Sequence, residues 1–239
     1  MSAALASISD ASASKPYVVR IAPGVYTETS TVALKSYVDV EGSGEGVTTI
    51  TCACGGNPGF IGDGESSTVV AYAIDDAEIR DVTIENTGGG SGKSWSIGLG
   101  LDDLDETFSV NNVTVSATGG FYNVAVTMYE VFSTVTNLRA EANGGIPSGL
   151  LIEDSAPILT NLTARGVDGS DPGFGVELYG DSYPTIRNSW ITGHYSIYGD
   201  SVLSTAYVAD TVLSGIVGGS SSFRCREVYD ASLLGVICP

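Results

Sequence analysis

Two short apolar strands separated by an acidic turn form a pattern that repeats along this chain. Between residues 148 and 164 the strands are Gly149–Ile152 and Ile158–Thr163, and a single asparagine, Asn161, lies within the second. The pattern recurs both upstream and downstream of this segment. Short apolar runs bounded by Gly, Pro, Asn and Asp are typical of β-strands, and helical periodicity is nearly absent.

The polar residue within the second strand aligns six repeats. The aligned residues are Asp81, Asn112, Asn137, Asn161, Asn188 and Asp210, at steps of 31, 25, 24, 27 and 22 residues. Such steps are typical of one solenoid turn with loops of variable length, whereas a propeller blade needs about 40–45 residues. Parallel strands joined by short turns, without crossover helices, can form their backbone hydrogen bonds only if the chain coils. The sequence therefore predicts an all-β fold, a single-stranded right-handed parallel β-helix of about seven to eight coils.

We expect one domain over residues 1–239. Residues 1–15 are expected to form an N-terminal cap that contains a short helix at Ala3–Ser9, because the open end of a solenoid has to be covered. Residues 16–222 are predicted to form the coils, and 223–239, which break the repeat, a disulfide-tied C-terminal cap.

Stacking at about 4.8 Å per strand turns the aligned residues into columns. A column of buried amides satisfies its own donors and acceptors. The sequence therefore predicts an internal structural ladder of Asn112, Asn137, Asn161 and Asn188.

A second column is acidic and stands seven residues before those asparagines. Its predicted members are Asp105, Glu130, Asp154 and Asp181. Two interpretations stay open: solvated acids that cap turn N–H groups, or a calcium site, because Ca²⁺ takes six to eight oxygen ligands.

Catalysis needs two carboxylates, or a carboxylate and a base, in one groove. The candidates are Glu153, Asp154, Glu177, Arg139, Arg165 and His194. Ion pairs on a solvated face explain the arginines equally well. Tyrosines near the acidic turns are candidates for a sugar-binding platform, since aromatic faces bind sugar rings; they are Tyr129, Tyr179, Tyr183 and Tyr198.

The charge of −18, from 28 acidic against 10 basic residues, excludes nucleic acid as a partner, because phosphate contacts need a basic surface. It also disfavours anionic polymers unless a cation bridges. The chain contains no run of 18 apolar residues, the length needed to span a membrane. No signal peptide is visible at Met1. Abundant Ser, Thr and Gly, scarce Lys and four cysteines indicate an exported protein.

The cysteines form two pairs in sequence. Cys225 and Cys238 close a short C-terminal loop and are predicted to form a disulfide. Cys52 and Cys54 flank a single residue, so that a bridge between them is strained; they are expected to be free thiols or to pair elsewhere.

The segment Tyr17–Thr51, IAPGVYTET followed by VALKSYVDVEGSG, resembles the first coil of pectin methylesterases and, more broadly, of pectin-lyase-like right-handed β-helices. Gly24-Val25-Tyr26-Thr27-Glu28 matches the G-x-Y-x-E signature of the esterases. The resemblance implies the fold. It speaks against esterase activity, because the later QAV, QDT, DFIFG and LGRPW motifs are absent. The setting of His194 resembles the G-H-G element of polygalacturonases, whose other elements are also absent.

These observations favour a non-catalytic exported β-helix, structural or in contact with a polysaccharide or cell-surface glycan, that requires no cofactor. The alternative is a polysaccharide-active lyase or hydrolase that uses an acidic groove, with calcium as its candidate cofactor.

Overall fold

The computed structural model describes residues 1–56, 66–88, 94–167, 169, 172–232, 234 and 235. It has a single short helix, α1 (Ser2–Ser7), and nineteen strands within these ranges. The first nine strands are β1 (Tyr17–Arg20), β2 (Gly24–Glu28), β3 (Val32–Ala33), β4 (Val38–Glu41), β5 (Thr48–Cys52), β6 (Ser67–Tyr72), β7 (Glu78–Asn86), β8 (Trp95–Leu104) and β9 (Ser109–Ala117). The other ten are β10 (Tyr122–Val131), β11 (Thr134–Asn143), β12 (Ile146–Glu153), β13 (Ile158–Thr160), β14 (Thr163–Val167), β15 (Phe174–Tyr179), β16 (Thr185–Arg187), β17 (Trp190–Gly199), β18 (Thr205–Gly219) and β19 (Ser222–Tyr229).

Parallel pairing joins these strands into three ladders, which we call the first, second and third sheets. The first sheet runs β1-β4-β7-β9-β11-β13-β16-β18-β19. The second runs β2-β5-β7-β9-β11-β14-β17-β18-β19. The third runs β3-β6-β8-β10-β12-β15-β17-β18. Long strands such as β11 and β18 pass from one sheet to the next, so that the chain coils as the repeat pattern predicts.

Alternation along each strand sends one set of side chains into the coil. On the third sheet Leu99, Val126, Leu150 and Val176 stack in register and are fully buried in a common core. Each coil buries an aliphatic row against its neighbours, which is how a solenoid builds one continuous core.

The two ends of the chain show how far the coil extends. Helix α1 places Leu5 in the same core, close to the predicted helix at Ala3–Ser9. At the other end, the described residues 223–229 of the predicted cap lie in β19, which pairs with β18 from Thr205↔Ser222 to Val212↔Tyr229. The expected boundary at residue 222 therefore falls inside a strand, and the coil continues to Tyr229.

The first and second sheets meet at a corner where the backbone turns within one residue. All six aligned polar residues stand there with positive φ, from 49° to 56°. Glu227, at φ 54°, follows Asp210 in the register of β18 and β19. We call this column the Asn corner.

Among the described residues, no helix is both long and apolar enough to cross a membrane.

Candidate functional site

The outward side of the third sheet groups acidic and aromatic side chains. Strand pairing aligns Tyr72, Asp102, Tyr129, Glu153 and Tyr179 in one row. Tyrosine and acid alternate along it, so that successive acids stand two strands, or about 9.6 Å, apart. This spacing weakens the repulsion that directly opposed acids would feel. We call this surface, together with Glu177 and Tyr198, the acidic sheet face.

Glu177 lies beside that row and is almost completely buried, at 6 % exposure. Its carboxyl accepts hydrogen bonds from the hydroxyls of Ser148 and Tyr179, the latter at 3.3 Å. Burial raises the pKa of Glu177 to about 7; the two hydroxyls oppose this rise, and nearby Asp200 adds to it. At neutral pH this side chain therefore both donates and accepts protons, the property required of a general acid or base.

Two acids of the row, like Glu177 beside it, have a raised pKa. Asp102 is 5 % exposed, and burial, with Asp103 and Glu130 nearby, raises its pKa to about 6. Burial and the charge of Asp154 raise the pKa of Glu153. Part of this face is therefore uncharged in mildly acidic solution.

Aromatic rings flank Glu177 on the same side of the sheet. Tyr198 is its partner in the next strand. Phe174 stacks on Tyr195 with ring centroids 5.5 Å apart, and Tyr195 meets Tyr198 at 5.1 Å. A second pair, Tyr122 on β10 and Trp95 on β8, stacks at 4.7 Å two and three strands away. Rings that are partly exposed beside hydrogen-bonding carboxyls are the usual components of a sugar-binding surface.

The structure therefore brings some of the predicted site residues together and separates others. Glu153, Glu177, Tyr129, Tyr179 and Tyr198 share the acidic sheet face.

Tyr183 is not part of this face. It follows the third sheet, and its hydroxyl donates to Asp181 at 2.6 Å. Sequence spacing alone suggested a common platform, but the chain has already turned the corner at Gly180.

The three basic candidates also lie elsewhere. Arg139 and Arg165 are on the second sheet, where both contact Glu141, at 3.2 and 3.5 Å. His194 is exposed, and its ring packs against that of Tyr195 in a T-shaped arrangement, with ring centroids 4.9 Å apart.

The register of the predicted acidic column is wrong at two of its four positions. Pairing aligns Glu130 with Asp103 and Asp154 with Gly180, because the residues just before them are paired as Tyr129 with Asp102 and Glu153 with Tyr179. These corner residues share a positive φ between 48° and 59°, a backbone conformation in which the chain turns sharply.

Asp105 and Asp181 instead serve their own turns. Asp105 accepts hydrogen bonds from the backbone N–H and the hydroxyl of Thr107, which lower its pKa. The carboxylate of Asp181 accepts from the hydroxyl of Tyr183, and its backbone N–H donates to Asp154 on the preceding coil at 2.7 Å. Within the described residues, no group of three or more His, Cys, Asp or Glu side chains is arranged to hold a metal ion.

The prediction of a buried asparagine ladder is wrong in its location. Asn137, Asn161 and Asn188 are exposed at the Asn corner. Their positive φ explains the residue type, since Asn tolerates this conformation better than other residues with a β-carbon. The amides still connect coils: Asn112 donates to Asp81 at 2.6 Å and Asn137 to Asn111 at 3.0 Å.

The buried polar ladders consist of serine and threonine hydroxyls and not of the predicted asparagine amides. Ser182 accepts from the backbone N–H of Ser155 at 3.3 Å and donates to Tyr179 O at 2.8 Å. Ser204 accepts from the N–H of Ser182 at 3.2 Å and donates to Gly180 O at 3.0 Å.

A second hydroxyl ladder, at Ser189 and Thr211, runs just inside the Asn corner. The signal was present in the sequence: each of these two residues directly follows an aligned Asn or Asp.

The cysteines also differ from expectation. Cys52 and Cys54 are bonded to each other, with Cα atoms 5.1 Å apart, so the expectation that they stay free or pair elsewhere is wrong. Cys238 lies outside the described residues, and its bridge to Cys225 stays a prediction.

No family model and no curated protein matches the chain, but solved structures share its fold. The pectin methylesterase PemA from Erwinia chrysanthemi superposes with a TM-score of 0.66 at 14 % identity, over 98 % of this chain and 85 % of that one. The enzyme from carrot gives 0.59 at 15 % identity, over 94 % and 83 %. A pectin methylesterase in complex with a hexasaccharide gives 0.63 at 13 % identity, over 98 % and 86 %. These are right-handed parallel β-helices of the pectin-lyase-like type, and the resemblance of the first coil is confirmed at the level of the fold.

Proposed function

We propose that this chain, which has the β-helix fold of the pectin methylesterases, is an exported, non-catalytic protein that binds a polysaccharide or cell-surface glycan on its acidic sheet face. The observation that carries the proposal is the convergence of Tyr129, Tyr179 and Tyr198 with Glu177 on one surface. Tyrosine rings present a flat apolar surface to a sugar ring, and carboxyl oxygens accept hydrogen bonds from sugar hydroxyls.

The charge of the face indicates which sugars it binds. It carries acids, and the whole chain has a net charge of −18. A polyanion would be repelled. We therefore expect neutral oligosaccharides to bind here. One structure with this fold holds a hexasaccharide, which supports a saccharide as the class of ligand.

Calorimetric titration with a panel of neutral hexasaccharides tests the proposal. At least one is expected to bind, and Tyr198→Ala to weaken it about tenfold, since aromatic contacts of this kind contribute about 0.5–1.5 kcal/mol beyond their buried area. Tyr207→Ala is the control, because Tyr207 is an exposed tyrosine on the first sheet, away from the acidic sheet face. The absence of binding across the panel, or equal losses for the two variants, would contradict the proposal.

The raised pKa of Glu177 favours a second candidate, a polysaccharide hydrolase or lyase. Glu153 is diagonal to Glu177 across β12 and β15, a separation of about 7–8 Å between backbone positions. Both side chains point outward from neighbouring strands, as a general acid and a general base that share one groove require.

Release of reducing or unsaturated ends from the same panel, abolished in Glu177→Gln, would establish this activity over binding alone. A calcium-dependent enzyme would in addition lose its calcium response in Asp154→Asn, because Glu130 and Asp154 stand on adjacent coils at one corner.

A further inference from the structure

The outward side of the first sheet exposes a group of large apolar side chains. Strand pairing places Ile158 and Tyr207 in one row, two strands apart, and they are 46 % and 40 % exposed. Phe132 and Tyr183, 52 % and 42 % exposed, stand in the adjacent row, because the backbone hydrogen bonds of the sheet continue to them. We call this surface the apolar sheet face. Contiguous exposed apolar side chains of this kind mark an interaction surface.

The two ends of the apolar sheet face carry opposite charge. Its C-terminal end holds three exposed arginines, Arg187 on β16 and Arg224 and Arg226 on β19. Within the described residues only Arg226 of these three forms an ion pair, with Glu227 at 3.7 Å. At the N-terminal end of the face the acids outnumber the bases; the acids are Asp39, Glu41, Asp76 and Glu78, and the bases are Arg20 and Arg80.

The order of residues on this face is complementary to its own reverse. In the row of Ile158, Glu78 stands three strands before it and Arg224 three strands after it. In the adjacent row, Phe132 stands one strand before the coil of Ile158, and Tyr183 one strand after it. A two-fold axis along β13, in the plane between two facing copies, reverses the order of the coils. Such an axis sets acid against base and ring against ring.

We propose that the apolar sheet face binds the same face of a second copy of this chain, with the coils of the two copies in opposite order. Ile158 then lies at the two-fold axis, Phe132 faces the partner's Tyr183, and Arg224 faces the partner's Glu78. A two-fold interface uses the same patch on both copies, and aromatic pairs are favourable in such contacts.

The charge of the face favours a second copy over another protein. A partner of uniform charge would be repelled at one end, whereas a reversed copy meets opposite charge at both ends. Seven strands and three rows of side chains cover roughly 600 Å² on each copy, at the lower end of the range for specific interfaces. We therefore expect a weak dimer. This proposal is independent of the proposed function, which concerns the third sheet.

Sedimentation velocity over a concentration series tests the proposal. Wild type is expected to pass from monomer to dimer as its concentration rises, and Ile158→Asp to weaken the dimer at least about tenfold, because two carboxylates then meet at the axis. Ile216→Asp is the matched control, since Ile216 is 50 % exposed and lies on the third sheet. Wild type that stays monomeric at every concentration would leave this face to another partner and overturn the proposal, as would equal weakening by the two variants.

Charge reversal tests the opposite order of the coils without altering the apolar contact. Arg224→Glu and Glu78→Lys are each expected to weaken the dimer about tenfold, because like charges then face each other at both ends. An equimolar mixture of the two variants is expected to form a heterodimer of nearly wild-type affinity, since acid and base again face each other at both ends. A mixture that is as monomeric as either variant alone would contradict this arrangement.

Discussion

The side-chain amide of Asn161 donates a hydrogen bond to the side-chain oxygen of Asn137 at 2.9 Å, from one coil to the next. Both residues have positive φ, 56° and 53°. The contact therefore combines two roles at one position: the backbone conformation that turns the chain from the first sheet to the second, and a polar link along the coil axis. Because Asn meets both demands, it recurs at successive coils.

Replacing Asn161 with valine is expected to destabilise the protein by about 2 kcal/mol, since a β-branched residue in the left-handed region costs on the order of 1–2 kcal/mol and the link to Asn137 is lost. Glycine adopts this conformation freely and loses only the link, so Asn161→Gly should cost less than half as much. Urea unfolding of both variants measures the difference. Equal destabilisation by Val and Gly would show that the amide contact, and not the backbone, selects Asn here.

The sequence pattern located the Asn corner but not its structure. Six polar residues aligned at a spacing near 25 were enough to predict a solenoid, because the spacing reflects coil length directly. The same pattern did not distinguish an inward amide from a corner residue with positive φ, since in both cases a single Asn stands between aliphatic residues. The flanking hydroxyl at Ser189 is the residue that points inward.

Ser182 is expected to contribute more to stability than its size suggests. Its hydroxyl is buried and serves both the N–H of Ser155 and the carbonyl of Tyr179. Ser182→Ala leaves those groups without a partner, which costs about 1–3 kcal/mol for a buried polar group. Thermal unfolding should show this loss, and Ser222→Ala, at an exposed position, should show almost none. A Ser182→Ala variant as stable as wild type would mean that water replaces the hydroxyl.

Stability is expected to fall as the pH rises from about 4.5 to about 7 because of Glu177. Its pKa in the folded protein, about 7, lies above its ordinary value of 4.5. Between these values the folded state keeps the proton that the unfolded state releases, so folding is favoured at the acidic end, and the loss is complete above pH 7. The full effect is on the order of 3 kcal/mol. Glu177→Gln should remove the fall between about pH 6 and pH 7 and lessen it below pH 6, in denaturant unfolding measured from pH 4 to pH 8.

Asp102 also makes the stability fall as the pH rises, but over a lower pH range, since its pKa rises from 3.8 to about 6. In Glu177→Gln the remaining fall should therefore end near pH 6, and Asp102→Asn should reduce it further. Asp210→Asn, at an exposed residue of the Asn corner, is the control. An unchanged pH profile in Glu177→Gln would show that the carboxyl is ionised and hydrated in solution.

The sequence predicted the members of the acidic sheet face better than their arrangement. Tyr129, Tyr179, Tyr198, Glu153 and Glu177 were found because acids and aromatics cluster near the turns. Their alternation in rows becomes apparent only from the strand register. At Gly180 this register differs by one residue from the seven-residue spacing that defined the predicted acidic column. This shift explains why Asp181 was placed in a column that Gly180 occupies. Burial of Asp102 is a property of packing and has no local sequence signal.

The hydrogen bond from Tyr179 to Glu177 makes a final prediction possible. The hydroxyl stabilises the carboxylate and opposes the effect of burial on the pKa of Glu177. Tyr179→Phe removes that donor without changing the ring, so the pKa of Glu177 should rise further above about 7. Carboxyl ¹³C shifts followed by NMR during a pH titration measure it. Tyr183→Phe removes a hydroxyl that bonds Asp181 at a different place and should leave the Glu177 titration unchanged. A fall in the pKa in Tyr179→Phe would mean that water enters the site and hydrates the carboxylate more strongly than Tyr179 does.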